Sequence, residues 1–235
     1  MSDSARKIEG ILLIDKPSGM TSARAVDRVK RLLPRGIKVG HAGTLDPFAT
    51  GLLVLLVGRA TRQCEVIMGQ PKTYDATVKL GATTETDDPE SEERCTGVAA
   101  VQIEQVRAAL PAFIGEIAQV PPAYSALKIG GRRAADRVRA GQTVCMQPRT
   151  VRVYAIDLVD YAWPLLRLQI DCGRGTYVRA IARDLGAALG AGGYLTQLRR
   201  TRIGPYDVGN AVNLSDPPDA DRLLATLLPV DPTGV

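Results

Sequence analysis

Residues 40–57 read GHAGTLDPFATGLLVLLV, a glycine-rich loop that leads directly into an apolar segment. Six hydrophobic residues follow one another at 52–57, which predicts a buried strand. The loop before it holds the only histidine of the chain, His41, and an aspartate, Asp46, which is followed by Pro47. Glycine lets the backbone approach a ligand closely and proline stiffens the turn. A carboxylate here can therefore serve as nucleophile or general base, or it can stabilise an ordinary turn, and the residues alone leave both open.

Strand and helix patterns alternate on both sides of this stretch. GILLID at 10–15 predicts a buried strand, and Thr21 or Ser22 can cap a helix with apolar residues at helical spacing up to Leu33. The remaining patterns predict strands at 73–80, 149–160 and 165–173, and helices at 60–68, 102–113, 176–189 and 219–228. Long strands interleaved with helices predict a mixed α/β or α+β fold. No break in composition marks a linker, so we expect one domain over residues 1–235.

The composition excludes several classes of protein. The four cysteines are widely spaced, with no C-x-x-C pair and one histidine, which excludes a standard zinc site and a disulfide framework. We therefore expect reduced thiols in a cytoplasmic protein. The longest apolar run has six residues, far fewer than the roughly 20 that span a bilayer, so no membrane partner is expected.

Charge is distributed unevenly along the chain. Arginine-rich segments at 128–152 and 167–202 account for much of the positive charge, and the guanidinium group suits phosphate oxygens. These segments indicate either a nucleic-acid-binding surface or a solvated one, and charge alone does not decide between them. Six acids at 85–93 predict a solvated acidic loop.

The segment GHAGTLDPFATG, preceded by LLIDKPSGMTS, closely resembles the catalytic motif of the TruB family of pseudouridine synthases. The resemblance continues in the same order through PPAYSALKIGGRR (121–133), CGRGTYVRAIARDLG (172–186) and LTQLRRTRIGPY (195–206), and spans residues 8–231. It implies a large mixed, mostly antiparallel sheet flanked by helices and loops. It also implies an isomerase that converts uridine 55 in the TΨC arm of tRNA to pseudouridine, with no cofactor and no metal.

The resemblance assigns roles to individual residues. Asp46 matches the essential aspartate, whose carboxylate attacks a flipped-out nucleotide; attack on the base and attack on the ribose both remain open. Tyr74 and Tyr177 match tyrosines of the base pocket, where stacking on an aromatic ring recovers about 1–3 kcal/mol of the cost of flipping. Arg179 matches an arginine that pairs with the catalytic carboxylate. If residues 172–178 are extended, Tyr177 and Arg179 point the same way.

Three further residues match the family with weaker implications. His41 matches a histidine that contacts RNA around the flipped nucleotide, although a local hydrogen bond within the loop would also explain it. Leu198 matches an apolar residue of the base pocket, and core packing explains a leucine equally well. Lys16 lies in the K-P turn and is expected to have a structural or supporting role.

The chain also departs from the family pattern. Residues 123–141 match a segment that grips RNA, but Ala135 stands near an expected aromatic residue and Arg137 stands where leucine or tyrosine is usual. We expect no counterpart here of the small C-terminal RNA-binding (PUA) domain of bacterial relatives, and therefore weaker or more salt-sensitive tRNA binding. The absence of heptads and the family pattern indicate a monomer.

Two rival functions remain open. A non-catalytic protein that binds or folds RNA would need the arginines and tyrosines but not Asp46. A nucleoside or glycoside hydrolase could use Asp46, but most glycosidases need two opposed carboxylates and residues 40–51 contain one acid.

Overall fold

The computed structural model describes residues 8–216 and 219–229, so both ends of the predicted domain lie outside the described residues. The strands are, in chain order, β1 (Gly10–Lys16), β2 (Val39–His41), β3 (Thr50–Val57), β4 (Lys72–Leu80), β5 (Ala82–Thr83), β6 (Arg94–Cys95), β7 (Gly115–Gln119), β8 (Lys128–Ile129), β9 (Arg132–Arg133), β10 (Arg149–Ala162), β11 (Leu165–Cys172), β12 (Gly193–Ile203), β13 (Tyr206–Asp207) and β14 (Val212–Asn213). The helices are α1 (Ser22–Leu32), α2 (Cys64–Gly69), α3 (Ile103–Ala109), α4 (Ala134–Arg139), α5 (Val178–Ala188) and α6 (Ala220–Ala225).

These elements confirm the predicted α+β class. Ten strands belong to one mixed sheet, in which β14 on β1 and β12 on β3 are parallel, while β1 on β3, β7 on β10 and β10 on β11 are antiparallel. All four helices predicted at 60–68, 102–113, 176–189 and 219–228 are shorter than expected. Two of them share their segment with a 3₁₀ helix: Gly58–Gln63 precedes α2, and Leu110–Phe113 follows α3. Helices α5 and α6 are shorter at both ends.

The chain divides into two compact units, which are described separately. Unit 1 contains the residues up to Thr73 and those from Arg199 onward, and unit 2 is Tyr74–Leu198. Strands β4 and β12 have residues in both units. The prediction of one catalytic domain with an inserted gripping segment stays a prediction.

Strand β3 is the centre of unit 1. It pairs antiparallel with β1 along the whole length of β1, from Gly10 opposite Val57 to Lys16 opposite Gly51. Residues 53, 55 and 57 belong to one buried apolar cluster, and residues 52, 54 and 56 belong to another. Because apolar groups cover both faces, each position favours a hydrophobic residue, which explains the unbroken run in the sequence. Burying each leucine side chain stabilises the fold by about 1.5–3 kcal/mol.

Helix α1 begins at the predicted cap. The Thr21 side chain accepts a hydrogen bond from the backbone N–H of Arg24, and Ala25 and Val29 are buried in the same cluster as one face of β3. The helix ends before Pro34, as the sequence predicts. Its first turn packs beside the loop that carries Asp46, so the helix supports that loop.

Unit 2 is built on the antiparallel strands β7, β10 and β11 and on helix α5. Residues 166, 168, 170 and 172 of β11 are all buried and residues 165, 167 and 169 are exposed, which is the alternation of a strand with one buried face. Gly186 of α5 lies against the start of β12, where a Cβ atom would come within 2.3 Å of the backbone of Gly192 and Gly193. Only glycine allows this close approach of helix and strand.

All four cysteines are free thiols, as predicted. Within residues 8–216 and 219–229, no helix is long and apolar enough to cross a membrane.

Candidate active site

The loop that carries Asp46 is fixed by a serine on the adjacent helix. Ser22, in the first turn of α1, is buried and bonds both backbone groups of Leu45: its Oγ accepts from the Leu45 N–H at 2.9 Å and donates to the Leu45 carbonyl at 3.1 Å. On the other side of Asp46, the Ser18 hydroxyl donates to the Phe48 carbonyl at 2.8 Å. The backbone is therefore held immediately before the aspartate and again two residues after it.

A buried lysine also binds the backbone of this loop. The Nζ of Lys16 is fully buried and donates to the carbonyls of Pro17, Met20 and Pro47 at 3.0, 2.7 and 3.2 Å. The Gly19 N–H also donates to the Pro47 carbonyl, at 2.9 Å. A buried ammonium is costly unless its donors are satisfied, and these carbonyls satisfy them only when the loop adopts this conformation. The contacts support the predicted supporting role of Lys16.

Arg200 of β12 fixes the part of the loop that precedes Asp46. Its guanidinium is buried and donates to the carbonyls of Leu52, Thr44 and Gly43 at 2.8, 3.3 and 3.1 Å. Gly51, with φ of +100°, lies so close to Arg200 that a Cβ atom would be 2.3 Å from the Arg200 carbonyl oxygen. In the sequence, Arg200 is one of several arginines in a basic segment, and charge gives no sign of which of them is buried.

Asp46 itself is half-buried between these anchors, and its carbonyl accepts from the Ala49 N–H at 3.2 Å. His41 is half-buried at the end of β2, and the Sγ of Cys64 lies 3.6 Å from its carbonyl. A carboxylate on a backbone that is already fixed loses less conformational freedom when it attacks a substrate, which suits nucleophilic catalysis. Asp46, His41 and Lys16 all belong to unit 1.

The predicted binding residues Tyr74, Tyr177, Arg179 and Leu198 all belong to unit 2. Tyr74 is the third residue of β4 and Leu198 the sixth of β12, and both are buried. Tyr177 is half-buried and directly precedes α5, where its backbone bonds twice to the buried side-chain amide of Gln119: its N–H donates at 2.8 Å and its carbonyl accepts at 3.1 Å. This pair of bonds fixes the start of the helix.

The expectation that residues 172–178 are extended is wrong. Strand β11 ends at Cys172, a turn follows, and α5 begins at Val178, so Arg179 lies in the first helical turn. Tyr177 still has extended backbone angles, but the two residues do not share the face of one strand. The reason is that Gln119 bonds both backbone groups of Tyr177, which places the helix start two residues later than the predicted 176.

Arg179 is buried in a polar cluster. Its Nη1 lies 3.1 Å from Asp88 Oδ2 and donates to the Thr86 carbonyl at 2.9 Å, while Nη2 donates to the Tyr124 carbonyl at 3.0 Å. Asp88 is 1% exposed and also accepts from the Glu90 N–H at 3.0 Å. Burial strengthens this ion pair and holds the guanidinium in one orientation.

The prediction that residues 85–93 form a solvated acidic loop is therefore wrong for several of its acids. Asp88 is buried against Arg179, and Asp87 pairs with Arg183 at 3.0 Å. Burial raises the pKa of Asp87, against the opposing effect of Arg183. Glu93 binds Lys79 at 2.7 Å and accepts a hydrogen bond from Tyr194, and the bond from Lys79 is the main cause of its lowered pKa. Each of these acids meets a partner that is distant in the sequence, so the local sequence gives no sign of the contact.

The second arginine-rich segment is likewise not a continuous surface. Arg179 and Arg200 are buried, Arg183 lies between Asp87 and Asp184, and Arg199 forms a two-pronged pair with Asp15 at 3.0 and 2.7 Å. The remaining arginines of the segment are exposed: 167, 174 and 202. Four of the seven arginines at 167–202 therefore bind other groups of the protein, and only the remaining three are exposed.

The first basic segment differs, because most of its charges are exposed. In the predicted gripping segment, β8 and β9 form a small hairpin and α4 follows it. Arg137, one of the departures from the family pattern, packs over the hairpin turn, where its Nη2 is 2.8 Å from the position of a Cβ on Gly130. Lys128, Arg132 and Arg133 are exposed.

Within the described ranges, no group of three or more histidine, cysteine, aspartate or glutamate side chains is arranged to hold a metal ion. The predictions of no metal and no cofactor stay predictions.

Comparison with known proteins gives the family. The family model described as TruB family pseudouridylate synthase (N-terminal domain) matches residues 30–178, and the tRNA pseudouridylate synthase B C-terminal domain model matches residues 179–232. The tRNA pseudouridine synthase B of Dechloromonas aromatica is 44% identical over 228 residues, which is 96% of this chain and 76% of the relative.

Two solved structures are also similar. A chain in the crystal structure of a Cbf5-Nop10-Gar1 complex superimposes with a TM-score of 0.68 at 30% identity, over 89% of this chain and 53% of that one. A chain in the structure of an H/ACA RNP bound to a substrate RNA containing 2′-deoxyuridine gives a TM-score of 0.65 at 27% identity, over 88% of this chain and 51% of that one. This chain thus spans about half the length of each.

The two family models together match residues 30–232, and both describe pseudouridylate synthases, which are RNA-modifying isomerases. The chain belongs to the TruB family of pseudouridylate synthases.

Proposed function

We propose that this chain converts uridine 55 in the T-arm of tRNA to pseudouridine, with Asp46 as the nucleophile on a flipped-out nucleotide. The observation that carries the proposal is the fixed loop: Ser22, Lys16 and Arg200 all bond to the backbone beside Asp46. The name of the 44%-identical relative, tRNA pseudouridine synthase B, supports the substrate class.

The reaction balances without a co-reactant. The bond between N1 of uracil and C1′ of the ribose breaks, the base rotates, and a bond between C5 and C1′ forms. C5 loses its proton and N1 gains one, so the product is an isomer of the substrate. The Asp46 carboxylate forms a transient bond to the base or to the ribose and is regenerated when that bond breaks.

The residues of unit 2 supply binding in this proposal. Tyr74 and Tyr177 stack on the extruded base and Leu198 contacts it, which offsets part of the cost of unstacking. Arg179 keeps the catalytic carboxylate ionised, a role for which its fixed guanidinium is suited. His41 contacts RNA near the target. The exposed basic side chains of residues 123–141 bind phosphates of the T-arm.

The test is turnover on an unmodified tRNA transcript labelled with tritium at C5 of uridine. Release of tritium to water measures the reaction, and carbodiimide mapping locates the product. We expect one pseudouridine at position 55, and no release from a transcript that carries cytidine there. Release of free uracil would indicate the hydrolase, and tight binding without tritium release would indicate the non-catalytic RNA-binding protein.

Asp46→Asn is the decisive variant. We expect its rate to fall by at least about 10⁴-fold while the Kd for tRNA changes less than about threefold, because the fold and the RNA contacts remain. Asp157→Asn removes an exposed acid elsewhere and is the matched control. Turnover by Asp46→Asn at a rate similar to the control would refute the proposal.

Three details of the proposal, namely T-arm recognition, a monomeric state and a cytoplasmic location, can each be measured separately. T-arm recognition predicts turnover on an isolated T-arm stem-loop. A monomer predicts a mass near 25.1 kDa in light scattering of the purified chain. Location in the cytoplasm predicts that the protein fractionates with soluble tRNA-modifying activity after cell lysis.

A further inference from the structure

A third basic cluster lies on α1 and the turn after it. Residues 21–38 contain six basic residues and one acid, Asp27, and this local excess of +5 equals the formal net charge of the whole chain. This cluster is shorter than the two arginine-rich segments at 128–152 and 167–202. It lies entirely in unit 1.

The arginines of α1 form a stripe. Arg24, Arg28 and Arg31 are spaced by four and three residues, which places them within about 60° of one another around a helix of 3.6 residues per turn. Arg24 and Arg31 are exposed and Arg28 is half-buried, whereas Ala25 and Val29 pack into the core on the other side. About 10 Å separates the first arginine from the last along the axis.

Two features of the stripe are unfavourable for the helix, although Arg31 lies in the last turn, where the dipole favours a cation, and Asp27 precedes it by four residues. Arg24 lies in the first turn, which contains no acid, so its charge opposes the positive end of the helix dipole. Like charges at spacings of three and four residues also repel one another. Among the described residues, no acid forms an ion pair with any of the three arginines. Residues that break local rules in this way are expected where function requires them.

The stripe is also linked to the candidate nucleophile. It begins two residues after Ser22, the residue that bonds both backbone groups of Leu45 next to Asp46. Beyond the helix, the exposed Arg35 and Lys38 continue the basic surface as far as β2, which ends at His41. The charges therefore follow chain segments that lead to the catalytic loop within unit 1.

We propose that Arg24, Arg28 and Arg31, with Arg35 and Lys38, form a second RNA-binding surface, the α1 surface, that contacts phosphates of the substrate away from the target nucleotide. The inference rests on the proposed function, because it takes the RNA substrate as the ligand. An arginine stripe on a helix matches a row of phosphates in charge and spacing, and the guanidinium group can bond two phosphate oxygens at once. Such contacts supply affinity and orientation without sequence choice.

The test compares Arg24→Gln/Arg28→Gln/Arg31→Gln with the wild-type chain in binding to unmodified tRNA between 0.05 and 0.5 M salt. Three lost phosphate contacts should reduce the slope of log K against log salt by about two to three. Relative to 1 M salt, each phosphate contact increases the binding constant about fivefold at 0.15 M salt. The loss of three contacts should therefore raise Kd about a hundredfold. The loss should appear in Kd and KM, while the single-turnover rate at saturation changes less than about threefold.

Two further triple variants control for charge and for folding. Arg94→Gln/Arg107→Gln/Arg222→Gln removes the same charge from exposed positions elsewhere and should change Kd less than about threefold. Arg24→Lys/Arg28→Lys/Arg31→Lys retains the charge and should restore most of the salt slope. Equal Kd values for the two glutamine variants would overturn the inference, as would tighter binding of the wild type to phosphatidylserine vesicles than to tRNA. Failure of the wild type to form pseudouridine would instead overturn the proposed function.

Discussion

Asp88→Asn tests whether the buried ion pair holds the polar cluster of unit 2 together. Asp88 and Arg179 lie 3.1 Å apart, with side-chain exposures of 2% and 3%. The substitution keeps the size of the side chain and removes its charge. It leaves a buried guanidinium with the Thr86 and Tyr124 carbonyls as its remaining neutral partners in the cluster described above.

The magnitude follows from the burial. Removing one member of a buried ion pair is strongly destabilising and typically costs about 3–5 kcal/mol. Because the two carbonyl bonds to Arg179 remain, we expect the lower end, about 3 kcal/mol of the free energy of unfolding. For a chain of this size, that loss corresponds to a decrease of about 6–12 °C in Tm. Turnover should also fall, since Arg179 loses the partner that orients it.

Urea unfolding followed by circular dichroism measures the change. Asp136→Asn is the matched control, because Asp136 and Arg139 form an exposed pair at 3.9 Å whose removal should change stability by less than about 0.5 kcal/mol. Asp88→Leu/Arg179→Met removes both charges and should recover most of the lost stability, without activity. If Asp88→Asn is as stable as Asp136→Asn, the buried pair does not have the structural role assigned to it.

Three further predictions concern stability and the catalytic loop. Gly51→Ala should lower the free energy of unfolding by about 3 kcal/mol or more, because a Cβ would collide with the Arg200 carbonyl, whereas Gly19→Ala, also at positive φ but with open space around it, should cost about 1 kcal/mol; urea unfolding separates the two outcomes. Arg200→Lys should slow single turnover more than it weakens RNA binding, because an ammonium group cannot replace all the hydrogen bonds from the guanidinium to the loop carbonyls. Equal losses in rate and in binding would contradict this role. The pKa of Glu93 is lowered from 4.5 in the folded state, so ionised Glu93 stabilises the fold above pH 4.5, and this stabilisation is lost as the pH falls through the folded-state pKa. Lys79→Gln should therefore weaken the dependence of Tm on acid pH in thermal melts. An unchanged dependence of Tm on pH would refute this prediction.

The sequence predicts well what neighbouring residues determine. The apolar run of β3 and the cap at Thr21 depend on residues close in the chain, and both are confirmed. The loop that carries Asp46 is predictable for the same reason, because its glycines, proline and aspartate lie within one short segment.

Contacts between distant residues account for what the sequence could not show. Nothing near Asp88 in the sequence indicates that it meets Arg179, 91 positions later, and so its surroundings appeared solvated. Arg200 and Arg202 are alike in a charge profile, yet one is buried and the other exposed. Gln119 carries no motif that would link it to Tyr177, although their two hydrogen bonds fix where α5 begins.

The contact between Gly186 and the start of β12 also affects the other end of α5. Gly186 lies seven residues, or about two turns, from Arg179, and a helix of this length moves as a stiff rod. A side chain at Gly186 would push that end away from the strand, and the rod would pivot and displace the guanidinium at its far end. We therefore expect a side chain at Gly186 to lower turnover from two helical turns away, through the shift of Arg179.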